Sequence, residues 1–485
     1  MYIKSLEFNN YKVYKKQKFD FLDQESEKNN LINIFIGDNG SGKSAVLDGI
    51  AKSLSWLPAR LISVNKNTSN LITSDEISNG ESSASIKIKV VDLKIEYKFK
   101  KEFEDEIDEE DNGQTVIGFE NIKLESGIHK INEYKIKNLE WETARTRAGR
   151  VREFSSNYKQ LNSYSSDLRS IIGEATSFSL PTLIYYGAER NVVKSNQVNR
   201  IQNNNPIIEY RDSLNGTSNF RQFFGWFEEL ENIENQRFRK VVTQHIEDHA
   251  QLSDGVIFDF SEDIRLKVVR SAVSSFLNNI TEIRIDRESS ERFKVKKDNQ
   301  EFTFGQLSQG EKNLLSLVGD IARTLCIMNP ESDDPLSCPG IVLIDEIDLH
   351  LHPKWQADII GKLQSTFKNC QFFLTTHSPL VLSSANKANV FRVDSGKCEK
   401  LEFNLFGESV SHLLKTTMGT PERDRSVDLL INDIYASLDE NDFSAARNFL
   451  ENLEQRINRE SSIISQLASR ISMEEFFSKN AQKNN

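Results

Sequence analysis

The chain has 485 residues, 38% hydrophobic and 27% charged, and a formal net charge of −11. That length is too great for one simple core, so two to four packed regions are expected, and no apolar run approaches the roughly 18 residues a membrane span needs. The acidic balance repels phosphate backbones, so any nucleic-acid contact must rely on local basic patches.

Residues 2–8 (YIKSLEF) alternate as a strand does, and a second run reaches Phe19 and Phe21. LINIFIG (31–37) reads as a buried strand running into a glycine-rich loop. That loop, Gly37-Asp38-Asn39-Gly40-Ser41-Gly42-Lys43-Ser44, fits GxxxxGK[ST] in full. Gly37, Asn39, Gly40, Ser41 and Gly42 can turn backbone N–H groups around phosphates, and the helix that follows adds the positive end of its dipole. Lys43 can reach the β- and γ-phosphates, and the Ser44 hydroxyl can ligate Mg²⁺. From Ser44 the apolar spacing of Val46, Leu47, Ile50 and Leu54 predicts a helix that stops at Pro58.

Residues 61–180 read as an insertion, with strands expected at 84–99 and 131–139 around an acidic loop, 102–111. Arg145, Arg147, Arg150 and Arg152 follow as a basic cluster, suited either to gripping a phosphate backbone or protein partner, or simply to an exposed face. LPTLIYYGAER (180–190) reads as another buried strand with a polar end. A long helix is expected over 206–252, its aromatic face (Phe220, Phe223, Phe224, Trp226, Phe227) serving as core. His245 and His249 lie four apart on it, which without a third ligand reads as surface rather than metal. Residues 262–278 predict a helix and 281–304 a polar hairpin carrying Arg284, Arg287, Arg292, Lys294, Lys296 and Lys297.

Leu307-Ser308-Gln309-Gly310-Glu311 precedes a helical run, so Ser308 is expected to cap it, with Gly310 allowing close backbone approach. A helix start with free N–H groups and a hydroxyl is a second phosphate receptor. One chain hardly needs two γ-phosphate receptors; two chains arranged head to tail need both. IVLIDE (341–346) is an apolar strand ending in two carboxylates. Asp345 suits Mg²⁺ and Glu346 suits orienting and deprotonating the attacking water. Asp348 can reach across an interface, His350 and His352 read as loop residues, and His377, at the end of QFFLTTHSP, suits a hydrogen bond to the γ-phosphate.

GDNGSGKS, LSQGE, IVLIDE, DLHLHP and TTHSP together resemble the ABC-type ATPase heads of the RecF/SMC class. More narrowly, YYGAER, SLNGTSNFRQFFGWFEELENIENQ and the tail after MGTPERDRS resemble the PtuA-type ATPases of Septu anti-phage systems, also found beside retrons. The resemblance implies an α/β P-loop ATPase head with an inserted β ribbon, a helical lobe and C-terminal helices. It implies ATP and Mg²⁺ as ligands, a homodimer or higher oligomer, and an HNH nuclease (PtuB-like) as partner. Nucleic acid, or a retron reverse transcriptase with its DNA and RNA, is a further implied partner. It also implies a glutamine after the strand at 182–187, for which Gln197 is the nearest candidate. Where related heads carry an arginine after Asn-Phe, this chain has Asn10-Tyr11-Lys12.

The expected organisation is an ATPase head in two parts (1–60 and 301–404), the β-rich insertion 61–180, a strand plus helical lobe over 181–300, and a helical region over 405–485. That last region contains no His-Asn-His set and no DxD after a strand, so a nuclease activity would belong to a second protein. Two other readings remain open: a RecF-like DNA-repair ATPase, and a nucleotide-binding scaffold with little hydrolysis. Cys326, Cys338, Cys370 and Cys398 form no CxxC pair, which with the absence of a secretory or membrane-spanning stretch points to a reduced, cytoplasmic setting.

Overall fold

A computed structural model describes residues 1–21, 31–65, 67, 70–99, 116–122, 130–174, 178–190, 206–216, 220–249, 262–289, 291–458 and 461–483. The acidic run 102–111 and Gln197 lie outside the described residues. Two units are present, Met1–Gly407 and Glu408–Asn485.

The first unit opens with β1 (Tyr2–Tyr11), β2 (Tyr14–Asp20) and β3 (Ile32–Ile36), then α1 (Lys43–Leu54) and α2 (Trp56–Ile62). β4 (Ser83–Phe99), β5 (Val116–Ile122), β6 (Lys130–Thr146), α3 (Lys159–Glu174) and β7 (Thr182–Tyr186) follow. Next come α4 (Pro206–Glu209), α5 (Arg221–His249), α6 (Ile264–Phe276), β8 (Ile280–Ile285), β9 (Phe293–Lys297) and β10 (Gln300–Thr303). The unit closes with α7 (Gln309–Met328), β11 (Gly340–Ile344), α8 (Pro353–Thr366), β12 (Cys370–Thr375), α9 (Pro379–Ser383), β13 (Ala388–Asp394) and β14 (Lys397–Lys400).

The mainly apolar strands β3, β7, β11 and β12 lie in a six-stranded sheet of order β14-β13-β3-β12-β11-β7. Every neighbouring pair in it is parallel except β13 with β14. Burial on both faces explains why β3, β11 and β12 read as continuous hydrophobic runs rather than alternating ones. The register sets Ile344 beside Tyr186 and Leu374, and Thr375 beside Phe35. The carboxyl ends of β3, β12, β11 and β7 therefore share one edge, where parallel sheets place their ligands.

A second, antiparallel sheet runs β2-β1-β4-β6-β5. Its alternating strands bury Phe8, Tyr14, Phe19 and Phe21 against α1 and the first sheet, where Phe21 meets Phe373 edge-on at 4.9 Å and Phe19 meets Phe35 at 6.1 Å. The strand expected at 131–139 is the middle of the longer β6. The polar hairpin of 281–304 is a three-stranded meander, β10-β9-β8. Its Phe293, with Phe304, packs on Phe223, Phe224 and Phe227 of α5, so the aromatic face is core.

Two expected helix bounds need correction. The first helix does not stop at Pro58; α1 ends at Leu54, and Pro58 lies within α2. A proline in a first turn lacks only an N–H that has no intrahelical partner there, so it begins helices well. The helix expected over 206–252 is two helices, α4 and α5, separated by the turn that includes Asn215-Gly216.

The second unit holds α10 (Val410–Thr416), α11 (Arg425–Asp439), α12 (Phe443–Arg456) and α13 (Ser462–Lys483). Asp424 and Asp442 cap α11 and α12, and Ile434, Leu438, Leu453, Leu467 and Ile471 form its core. Among the described residues, no helix is long and apolar enough to cross a membrane.

Candidate nucleotide site

The loop between β3 and α1 is held from outside by backbone. A Cβ on Gly37, whose φ is 145°, would lie 2.0 Å from the Val393 carbonyl oxygen, so only glycine allows the loop to pass there. The Tyr14 hydroxyl donates to the Gly42 carbonyl over 3.0 Å. Lys43 points back into the loop, its Nζ 2.8 Å from the carbonyls of both Gly37 and Asp38. Burial lowers the Lys43 pKa, and the nearby Asp345, Glu346, Asp38 and Asp348 carboxylates only partly offset it. Asp38, Asn39, Gly40 and Ser44 are exposed, whereas Ser41 is buried and its Oγ has no hydrogen-bond partner among the described residues.

Across the sheet edge, the Ser44 Oγ donates to Asp345 Oδ1 over 3.1 Å. The Thr375 Oγ1 donates to the same carboxylate oxygen at 2.5 Å and accepts from the Glu346 N–H at 2.7 Å. Thr376 Oγ1 donates to Asp348 Oδ1 at 2.5 Å. Asp345 is buried, while Glu346 and Asp348 are half-buried. His377 is exposed just past β12, and the next residue, Ser378, caps α9. The structure therefore brings the glycine-rich loop, Ser44, Asp345, Glu346 and Asp348 to one edge, with His377 following the neighbouring strand.

This set fits a triphosphate with Mg²⁺. Ser44 and Asp345 offer a hydroxyl and a carboxylate to one hard cation, and the start of α1 offers unpaired N–H groups beside an ammonium.

Ser308 and Gly310 belong to a different surface. Ser308 caps α7 in a reciprocal box with Glu311: its Oγ accepts from the Glu311 N–H, and the Glu311 carboxylate accepts from the Ser308 N–H at 3.0 Å. A Cβ on Gly310 would come within 2.8 Å of both the His350 carbonyl oxygen and the Trp355 ring. Beside this close approach lies a cleft of about 920 Å³ lined by Ser308, Gly310, His350, His352, Trp355 and Lys362, among others. No residue of the 37–44 loop lines it. His352 caps α8, with Pro353 as its first residue.

Sequence reasoning missed Thr375, Thr376 and Arg190. The two threonines directly precede His377, and that adjacency was the available signal. Arg190 donates to the Glu346 carbonyl over 2.7 Å; nothing local in YYGAER marks it.

The basic clusters separate into two kinds. Arg147 is occupied with the carbonyls of Glu81 and Ile77, whereas Arg145, Arg150 and Arg152 are exposed. In the meander, Arg284, Arg292, Lys294 and Lys297 pair with Glu301, Glu228, Asp286 and Glu311, and Arg287 donates to Asn232.

The AAA ATPase domain profile matches residues 1–382. The chain belongs to the AAA ATPase domain family. It is similar to the "Retron Vc95 probable ATPase" of Vibrio cholerae serotype O1 biovar El Tor, 31% identical over 419 residues covering 80% of this chain and 72% of that one. The "Retron Ec83 probable ATPase" of Escherichia coli is 28% identical over 464 residues, 87% of this chain and 77% of that one. "Septu protein PtuA" of Bacillus thuringiensis is 28% identical over 152 residues, 29% of this chain and 38% of that one. Among solved structures, the SMC head domain of Thermotoga maritima covers 83% of this chain and 100% of its own length, at 15% identity and a TM-score of 0.37. By sequence the chain thus groups with retron probable ATPases and with Septu protein PtuA.

Proposed function

We propose that this ATPase hydrolyses ATP between two copies arranged head to tail, and that the assembly regulates a partner nuclease in anti-phage defence. The observation that carries the hydrolytic part is the sheet edge where Ser44, Asp345 and Glu346 meet. Lys43 and the loop N–H groups would bind the β- and γ-phosphates. Mg²⁺ between Ser44 and Asp345 would neutralise charge on the phosphates. Glu346 would orient a water and accept its proton, and His377 would hydrogen-bond the γ-phosphate.

The dimeric part is supported by the separation of the two phosphate receptors. Ser308 borders a cleft to which the glycine-rich loop contributes nothing, so a second copy is the natural donor of the nucleotide it faces. Asp348 would then lie near the seam. The defence role rests on the likeness to the retron and Septu proteins; an HNH nuclease, and in a retron setting a reverse transcriptase with its nucleic acid, are the partners that likeness suggests. Arg145, Arg150 and Arg152 are exposed cations of one cluster that would be available for nucleic acid.

Phosphate release by wild type, Lys43→Ala and Glu346→Gln tests the chemistry. Lys43→Ala should lose nucleotide binding, and Glu346→Gln should bind ATP, stop turning over and accumulate as a dimer. Equal background rates for wild type and Glu346→Gln would instead favour a nucleotide-binding scaffold. Purification from native cells with whatever co-elutes tests the partner, and recovery without any nuclease would remove that part.

A further inference from the structure

Arg190 lies four residues beyond the end of β7. Its guanidinium donates to the Glu346 carbonyl over 2.7 Å, while its Nε is buried without a hydrogen-bond partner among the described residues. The backbone it holds is strained: φ is 49° at Glu346 and 62° at His350. Left-handed conformations at non-glycine residues persist only where surrounding contacts impose them. Within this turn the Ile347 N–H donates to the Thr375 carbonyl, the Leu349 N–H to the Glu346 carbonyl and the Leu351 N–H to the Asp348 carbonyl, at 2.9–3.0 Å. Arg190 and the Leu349 N–H thus share one acceptor, the Glu346 oxygen.

Arg190 also faces α7. With Asn313 and Leu314 of that helix, and Ile347 and Leu349 of the turn, it surrounds a void of only about 10 Å³. The same helix begins at Ser308. Burial lowers the Arg190 pKa, and Asp345, Glu346 and Asp348 oppose that effect, so the cation sits among the carboxylates of the site.

We propose that Arg190 is a positioning residue for hydrolysis: its guanidinium fixes the Glu346 backbone in its left-handed turn. This rests on the reading of Glu346 as the base that activates water. Without Arg190 the turn retains its internal hydrogen bonds and those to Thr375 and Thr376, but the Glu346 carbonyl loses its side-chain donor, and the Glu346 carboxylate wanders relative to the bound phosphate.

Two variants separate this role from simple packing. Arg190→Met keeps the apolar stem and removes every donor, whereas Arg190→Lys keeps the charge and one donor group. In nucleotide-free protein, backbone hydrogen exchange at Ile347, Leu349 and Leu351 should accelerate by about tenfold or more in Arg190→Met and return most of the way in Arg190→Lys. With ATP, kcat should fall on the order of tenfold or more in Arg190→Met with KM within about threefold, and Arg190→Lys should recover it. Unchanged exchange in Arg190→Met overturns the proposal. So does a normal kcat in that variant while Glu346→Gln is inactive, or a loss that tracks a lower unfolding midpoint and is not recovered by Arg190→Lys. If wild type and Glu346→Gln release phosphate equally, the reading of Glu346 fails by itself, and the exchange data still decide whether Arg190 holds the turn.

Discussion

Ser44 and Asp345, 301 positions apart in sequence, share a hydrogen bond of 3.1 Å across the edge of the parallel sheet. The strands that lead to them, β3 and β11, are not neighbours. β12 lies between β3 and β11, and its last residue, Thr375, completes the connection through its own bond to Asp345.

Thr375 therefore serves two functional groups at once, and Thr375→Val should expose the cost. The valine keeps the shape but leaves the Glu346 N–H without its partner and the buried Asp345 with one donor fewer. A buried polar group stripped of its partner costs about 1–3 kcal/mol. The variant should unfold at a lower temperature, and ATP turnover should fall on the order of tenfold to a hundredfold as Asp345 and Glu346 shift. Wild-type turnover in a folded Thr375→Val protein would show that the hydroxyl positions nothing.

The pieces legible in the sequence are those whose meaning is local. Gly37–Ser44 carries its strand, loop and helix in one continuous stretch, and Asp345-Glu346 terminates an unmistakably buried strand. Ser308 as a cap follows from the helical run that begins directly after it. Arg190 was not legible because its role depends on β7 lying beside β11 with Tyr186 level with Ile344, a register no local pattern encodes. Arg147 read as one of four equivalent arginines, yet its neighbours in space are the carbonyls of a turn some 65–70 residues earlier. The break at Leu54–Trp56 is not legible because a proline marks a helix stop and an early position of a new helix alike.

The capping box on α7 has a pH signature. Burial pushes the Glu311 carboxyl up, but the Lys297 ammonium at 2.7 Å and the N–H and hydroxyl of Ser308 outweigh it, leaving the group below the ordinary carboxylate range. A carboxyl lowered on folding contributes stability that is complete above its unfolded pKa, about 4.3, and disappears as pH falls through the folded value. Glu311→Gln should therefore unfold earlier than wild type by a constant margin from neutral pH to about pH 5, with the margin closing below about pH 4.3. Thermal melts across that range check it; a margin that widens in acid would contradict the assignment.

Further along α7, Arg323 is 3% exposed and joined to Asp320 and Glu209, with the Tyr186 hydroxyl donating to Asp320 at 2.9 Å. Removing one member of a buried, fully bonded charge set leaves the others uncompensated, typically at a cost of about 3–5 kcal/mol. Arg323→Met should destabilise the protein by that order in denaturant titration. Arg323→Met combined with Glu209→Gln should be less destabilised than the sum of the two single changes. Strict additivity would mean the charges are not coupled.

The central claim is that each nucleotide is enclosed by Lys43 of one copy and Ser308 of another, and subunit complementation tests it most directly. Lys43→Ala and Ser308→Arg proteins should each be inactive alone, because every site in either homodimer is defective. Mixed and allowed to exchange, they should recover about one quarter of wild-type ATP turnover, since half the dimers are mixed and each mixed dimer holds one intact site. A mixture no more active than its separate components would contradict the shared site.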